Sequence, residues 1–235
     1  MANTQHLQKL KQGTGNWNQW RENNREIPDL SNTDLTHFDL CNMDLRRANL
    51  EGSNLNGVKL ISTNLNSANL ISANLCDADL WDANLKSANL SFADLLCANL
   101  RSANLKSANL RGTNLKNLTI DNHTKIDNKW RLVWQLVTQG VQEDTKLKDK
   151  KLSDANLNNV NFCNADLQGT NLSHAQLWGT NFSGAKLKST NLSGADIRNS
   201  NFTLAKDLTP QQIKAAINWQ KAKYDLDFRV KLGLI

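Results

Sequence analysis

The stretch Ala83–Leu115 reads ANLKS ANLSF ADLLC ANLRS ANLKS ANLRG TNL, with leucine at every fifth position from 85 to 115. Ala or Thr stands two residues before each leucine, and Asn or Asp directly before it. A helix turns about 100° per residue, so a step of five smears the leucines around the cylinder. A straight strand fails as well, because an odd step sends successive leucines to opposite faces. The chain must bend once per repeat, which returns every leucine to one interior. Repeated bends make coils, and stacked coils about 4.8 Å apart bury a continuous core.

The second half of the sequence sets the number of bends per coil. Phe replaces Leu at 162, 182 and 202. The small position there alternates Ala155, Ala165, Ala175, Ala185 and Ala195 with Val160, Thr170, Thr180, Thr190 and Ser200. A twenty-residue coil stacks Phe on Phe, Ala on Ala and Thr on Thr. A fifteen-residue triangular coil would stack Ala on Thr and scatter the phenylalanines. Four bends per coil follow.

These A-(D/N)-L-x-x runs resemble the pentapeptide-repeat family, including cyanobacterial-type members with helical ends. The resemblance covers about residues 30 to 205 with one interruption. It implies an all-β solenoid, a right-handed four-sided (quadrilateral) β-helix, with the leucine and the small residue inward and the other three outward. Each buried leucine then contributes roughly 1.5–3 kcal/mol, which builds a core from modest apolar content.

The net charge is +6 over 235 residues, and its placement matters more than its sum. Residues 30–120 carry eight basic and eight acidic side chains, and residues 152–205 three of each. The excess lies in 121–151 (+2), 1–29 (+1) and 206–235 (+3). No apolar run approaches a membrane span, and the N-terminus lacks the apolar core of a signal peptide, so a cytoplasmic protein is expected.

The domain reading is a helical N-terminal cap at 1–29, a first repeat block at 30–120, an inserted helix at 121–146, a second block at 147–205 and a helical C-terminal cap at 206–235. Leu7 and Leu10, then Trp17 and Trp20, predict one or two short helices before Pro28. Ile126, Trp130, Val133, Trp134 and Val137 form one helical stripe, with Asp127 as N-cap and Gly140 as stop. The column Cys41, Ile61, Trp81 and Arg101 is apolar for a solvent face, so the inserted helix is expected against that wall or the next. Thr209-Pro210-Gln211-Gln212 carries a capping-box signature.

A filled coil offers flat walls, whereas catalysis needs convergent groups in a concave pocket. The histidines are scattered, and His37 with Cys41 does not close a ligand shell on a flat wall. No catalytic residue, metal site or cofactor is expected, and the chain reads as not an enzyme. Cys76 and Cys97 fall within disulfide range, with free thiols preferred in a reducing compartment. Two sets of outward residues are candidate surfaces. One is apolar: Ile61, Ile71, Trp81, Phe92 and Leu96. The other is a basic wall: Arg46, Arg47, Lys86 and Lys106.

The leading expectation is a non-enzymatic rigid scaffold for protein–protein interaction, with monomers favoured by the capped ends. The resemblance also implies a rival, a DNA mimic that binds type II topoisomerases such as gyrase. Mimicry needs an acidic surface, and this solenoid is neutral. Weak nucleic-acid binding through the basic wall and the C-terminal segment is a third reading, disfavoured because no aromatics interleave to stack bases.

Overall fold

The computed structural model describes residues 2–142 and 145–235. The chain divides into two compact units, Met1–Arg131 and Leu132–Ile235. In each unit the repeats form parallel rungs, one residue per coil side, spaced by twenty. One ladder begins at Asp29↔Asn49 and ends at Asn104↔Lys125; the other begins at Lys151↔Asn171 and ends at Asn201↔Lys223. This is the four-sided coil anticipated from the Phe and Thr registers. Helices α1 (Thr4–Leu10) and α2 (Gly13–Asn23) precede the first ladder, and α3 (Asn128–Thr138) straddles the unit boundary. Helix α4 (Pro210–Lys214) interrupts the second ladder before its last two rungs, and α5 (Leu226–Leu232) follows it.

Each consensus position has a physical task. The leucine is buried, and its N–H donates to the carbonyl nineteen residues on, as from Leu70 to Asn89 at 2.8 Å. Its own carbonyl accepts from the N–H three residues on, closing a β-turn, as from Ala73 to Leu70 at 3.1 Å. The second corner residue takes a left-handed conformation, as at Ser67 (φ 57°) and Asp77 (φ 57°). That requirement explains the Ser, Asn, Asp and Gly found there. The Asn before a leucine bonds twice at most positions of the first unit. Its Oδ1 accepts the N–H two residues on, and its Nδ2 reaches the same residue type one coil back, as from Asn74 to Asn54 at 3.1 Å.

Buried hydroxyls at the small position are satisfied by leucine carbonyls, of the preceding coil in most cases and of its own corner for Ser53, which donates to Leu50 at 2.7 Å. Thr63 donates to Leu40 at 2.7 Å, Thr170 to Leu147 at 2.6 Å and Ser200 to Leu177 at 2.6 Å. In the second unit Phe162, Phe182 and Phe202 stack at 5.4 and 4.8 Å, and Tyr224 extends the stack at 5.7 Å.

The ladders run further than the repeat consensus. In the first unit Thr119 and Lys125 still form rungs, with one residue inserted before Lys125. The Asp121 carboxylate substitutes for a backbone carbonyl there, accepting the Ser102 N–H at 3.0 Å. In the second unit Ile217 and Lys223 of the C-terminal segment pair with Asp196 and Asn201. The capping box at Thr209 and Gln212 is formed, and Gln212 also donates to the carbonyls of Leu187 and Thr190.

At the N-terminal end, side chains of α1 and α2 stand in for a missing coil. Trp17 is fully buried, and its Nε1 donates to the Asp44 carbonyl at 2.9 Å. Asn18 Oδ1 accepts the Asp44 N–H at 2.8 Å, and His6 Nδ1 accepts the Asp29 N–H at 3.0 Å.

The inserted helix differs from expectation in its buried face. Its buried residues are Trp130, Val133 and Leu136, with Trp134 and Val137 half-buried, so the apolar stripe is rotated toward Leu136. Of the two walls expected to receive it, the column of Ile61 and Trp81 leaves Trp81 45% exposed. Gly140 (φ 77°) follows the helix, as a stop residue should.

Two tests follow. Trp17→Ala removes a fully buried indole and a donor to the first coil, and should cost about 3–5 kcal/mol in denaturant melts. The second concerns Asp121, whose carboxyl is held down to about 2 by the Ser102 N–H, then by Thr124 and His123. An unfolded Asp titrates near ~3.9, so the stabilisation is complete above about pH 5 and is lost as pH falls toward 2. The urea midpoints of wild type and Asp121→Asn should differ above pH 5 and converge near pH 2. A gap independent of pH would contradict this role.

Candidate interaction surface

Each corner of the first unit places two residues per coil on the outside of the turn, directly after the leucine, and the twenty-residue rungs sort them into columns. The five apolar candidates fall on three different corners. Ile71 and Phe92 share the corner after Leu70 and Leu90. Leu96 joins Cys76 at the next, and Ile61 and Trp81 share the one after that. They do not make one surface, because a four-sided coil moves every fifth residue to a new side. Phe92 is 51% exposed and left-handed (φ 61°), with the Arg111 guanidinium 5.9 Å from its ring centroid. Ile61, Ile71 and Leu96 are half-buried.

The basic candidates do come together. Arg46, Asn66, Lys86 and Lys106 occupy successive coils of the remaining corner, through the rungs Asp44↔Asn64, Asn64↔Asn84 and Asn84↔Asn104. Asn66 Nδ2 donates to the Lys86 carbonyl at 3.1 Å, and Arg47 sits beside Arg46 in the left-handed position (φ 60°). From the second coil onward the flanking residues are Asn64, Asn84 and Asn104 on one side and Ser67, Ser87 and Ser107 on the other. None carries a negative charge. In the first coil Asp44 pairs with Arg46, with Nε–Oδ1 at 2.7 Å and a second bond at 2.6 Å. Burial works to raise the Asp44 carboxyl, but the bonds and charge of Arg46 outweigh it and hold it low.

Two further cations escaped the sequence reading. Arg21 and Arg25 line a cleft with Arg46 and Arg47 where the cap meets this corner. Only the fold-back of the N-terminal segment brings them there, and nothing in their local sequence signals it. In the second unit Trp178, 44% exposed, flanks a shallow notch lined by Asn158, Gln176 and the paired Asp196 and Arg198.

All four cysteines are free thiols. Burial first, then the Asp94 and Asp77 carboxylates, pushes the Cys76 thiol up to about 11. Cys76 is therefore a poor nucleophile at neutral pH. Among the described residues no group of three or more His, Cys, Asp or Glu could hold a metal ion, and no helix is long and apolar enough to cross a membrane.

The model of the pentapeptide repeats matches eight copies, at residues 29–60, 63–95, 83–117, 145–177 and 165–203. Among solved structures the chain is similar to HetL, a pentapeptide repeat protein involved in heterocyst differentiation regulation from the cyanobacterium Nostoc sp. strain PCC 7120. Identity is 30%, over 82% of this chain and 73% of that one, with a TM-score of 0.35. Rfr23 from the cyanobacterium Cyanothece 51142 is 38% identical over 44% of this chain and 67% of its own, with a TM-score of 0.23. QnrB1, a plasmid-mediated fluoroquinolone resistance protein, is 14% identical over 88% of this chain and 95% of its own, with a TM-score of 0.32. No curated protein matches. The repeat model spans more than half of the sequence and agrees with its twenty-residue rungs, so the chain belongs to the pentapeptide-repeat family.

Proposed function

We propose that this chain is a non-enzymatic scaffold that docks an acidic protein partner on the basic corner of its first unit. One observation carries the reading: Arg46, Lys86 and Lys106 stand in one column with Arg47 beside its first member, and from the second coil on only Asn and Ser flank it. Three coil steps separate Arg46 from Lys106, about 14 Å at ~4.8 Å per step. That length suits a helix or extended segment bearing several carboxylates. The rung geometry keeps the column rigid, so binding loses little backbone entropy. Four free thiols suit a reducing compartment such as the cytoplasm.

A gyrase-binding DNA mimic is not favoured, because the basic corner is positive where mimicry needs negative. The likeness to QnrB1, at 14% identity, extends to the fold alone.

Affinity capture from native-source lysate, comparing wild type with Lys86→Glu/Lys106→Glu, tests the proposal. Both lysines are exposed, so the variant should melt within about 2 °C of wild type. An acidic protein retained by wild type and lost by the variant is the expected result. A partner kept by both, or a retained species removed by nuclease, would contradict it.

A further inference from the structure

We propose that the cleft between the N-terminal cap and the basic corner is a binding site for a phosphate monoester. The cleft has a volume of about 470 Å³ and is lined by Arg21, Arg25, Arg46, Arg47 and Asn66, among others. Arg21 is a fixed anchor: it donates to the carbonyls of Glu26 at 2.7 Å and Arg46 at 2.8 Å. Its Nε is buried without a hydrogen-bond partner. The Arg25 and Arg47 side chains have no ion pair among the described residues.

The charges do not balance. Four guanidinium groups line the cleft with one carboxylate, Glu26, which His6 Nε2 meets at 3.2 Å, and a second carboxylate outside the lining, Asp44, pairs with Arg46. His6 adds no charge, because its Nδ1 accepts the Asp29 N–H and the ring proton therefore lies on Nε2. The surplus of two positive charges matches a phosphate monoester, which carries about −1.5 to −2 at neutral pH. Guanidinium forks fit phosphate oxygens better than ammonium groups do. The Arg21 guanidinium reports the same field: burial lowers its proton affinity, Asp44 opposes, and Arg46 and Arg47 lower it further.

This site goes beyond the protein-docking column and fails separately from it, since Lys86 and Lys106 lie outside the cleft. Calorimetric titration of the full chain with inorganic phosphate tests it, at fixed ionic strength and pH 7.5. Saturable one-to-one binding is expected, weakened about tenfold or more in Arg25→Gln and in Arg47→Gln, and changed less than about twofold in Lys106→Gln. Neither arginine side chain supports the fold, and Arg25→Lys should retain much of the binding. Phosphoserine binding more tightly than glycerol phosphate supports the site with a phosphorylated protein segment as its source; the reverse supports it with a free metabolite. Absence of saturable binding at millimolar phosphate overturns the site. Equal loss in Lys106→Gln, or acetate binding as well as phosphate, overturns it too.

Discussion

The hydrogen bond from each leucine N–H to a carbonyl nineteen residues on is what the architecture rests on. It holds each coil to the next, and it forms only if the chain turns through four corners in twenty residues. Almost every corner therefore carries a left-handed residue, the one at His37 excepted, and every interior position needs a side chain small or regular enough to repeat. The Asn before each leucine serves the same bond, since its side chain ties the following turn and joins the coil before it. An acidic residue there keeps the turn bond but loses the amide donor. The repeat uses Asp at Asp79 and Asp94 as an acceptor for Asn99 and Asn114, both at 2.8 Å.

A stack of coils leaves donors and acceptors open at its ends, and the caps answer this group by group. On two sides of the first coil, His6, Thr14, Trp17, Asn18 and Arg21 supply the partners that a preceding coil would have supplied. On the other sides, the N–H groups of Asp34 and Asp39 have no protein partner among the described residues. Arg21 belongs to both accounts. It closes the Arg46 carbonyl and, in doing so, places a half-buried cation beside Arg46 and Arg47. Capping and charge concentration are thus one event.

The repeat made most of the fold legible, because period five, the Phe spacing and the alternating Thr each map onto a bond or a ring stack. The basic corner was legible too, since residues twenty apart share a column. The apolar set does not form a group: five residues close in sequence sit on three corners, because proximity along a coil is not proximity on a wall. The cleft could not be read at all. Arg21 and Arg25 reach Arg46 and Arg47 through a fold-back set by Trp17 packing and side-chain-to-backbone bonds, and no periodicity records that. The inserted helix was recognisable from its stripe, but its resting place depends on surfaces that carry no repeat.

Residue-resolved amide hydrogen exchange tests the central claim most directly, that each coil is held by its neighbour or by a group standing in for one. In the first coil, the Asp29 and Asp44 amides donate to His6 and Asn18, whereas those of Asp34 and Asp39 meet solvent. The account predicts slow exchange at Asp29 and Asp44, rapid exchange at Asp34 and Asp39, and slow exchange at the leucines of the inner coils, Leu65 through Leu85. Similar rates at all four aspartates, or rapid exchange at the inner leucines, would contradict it.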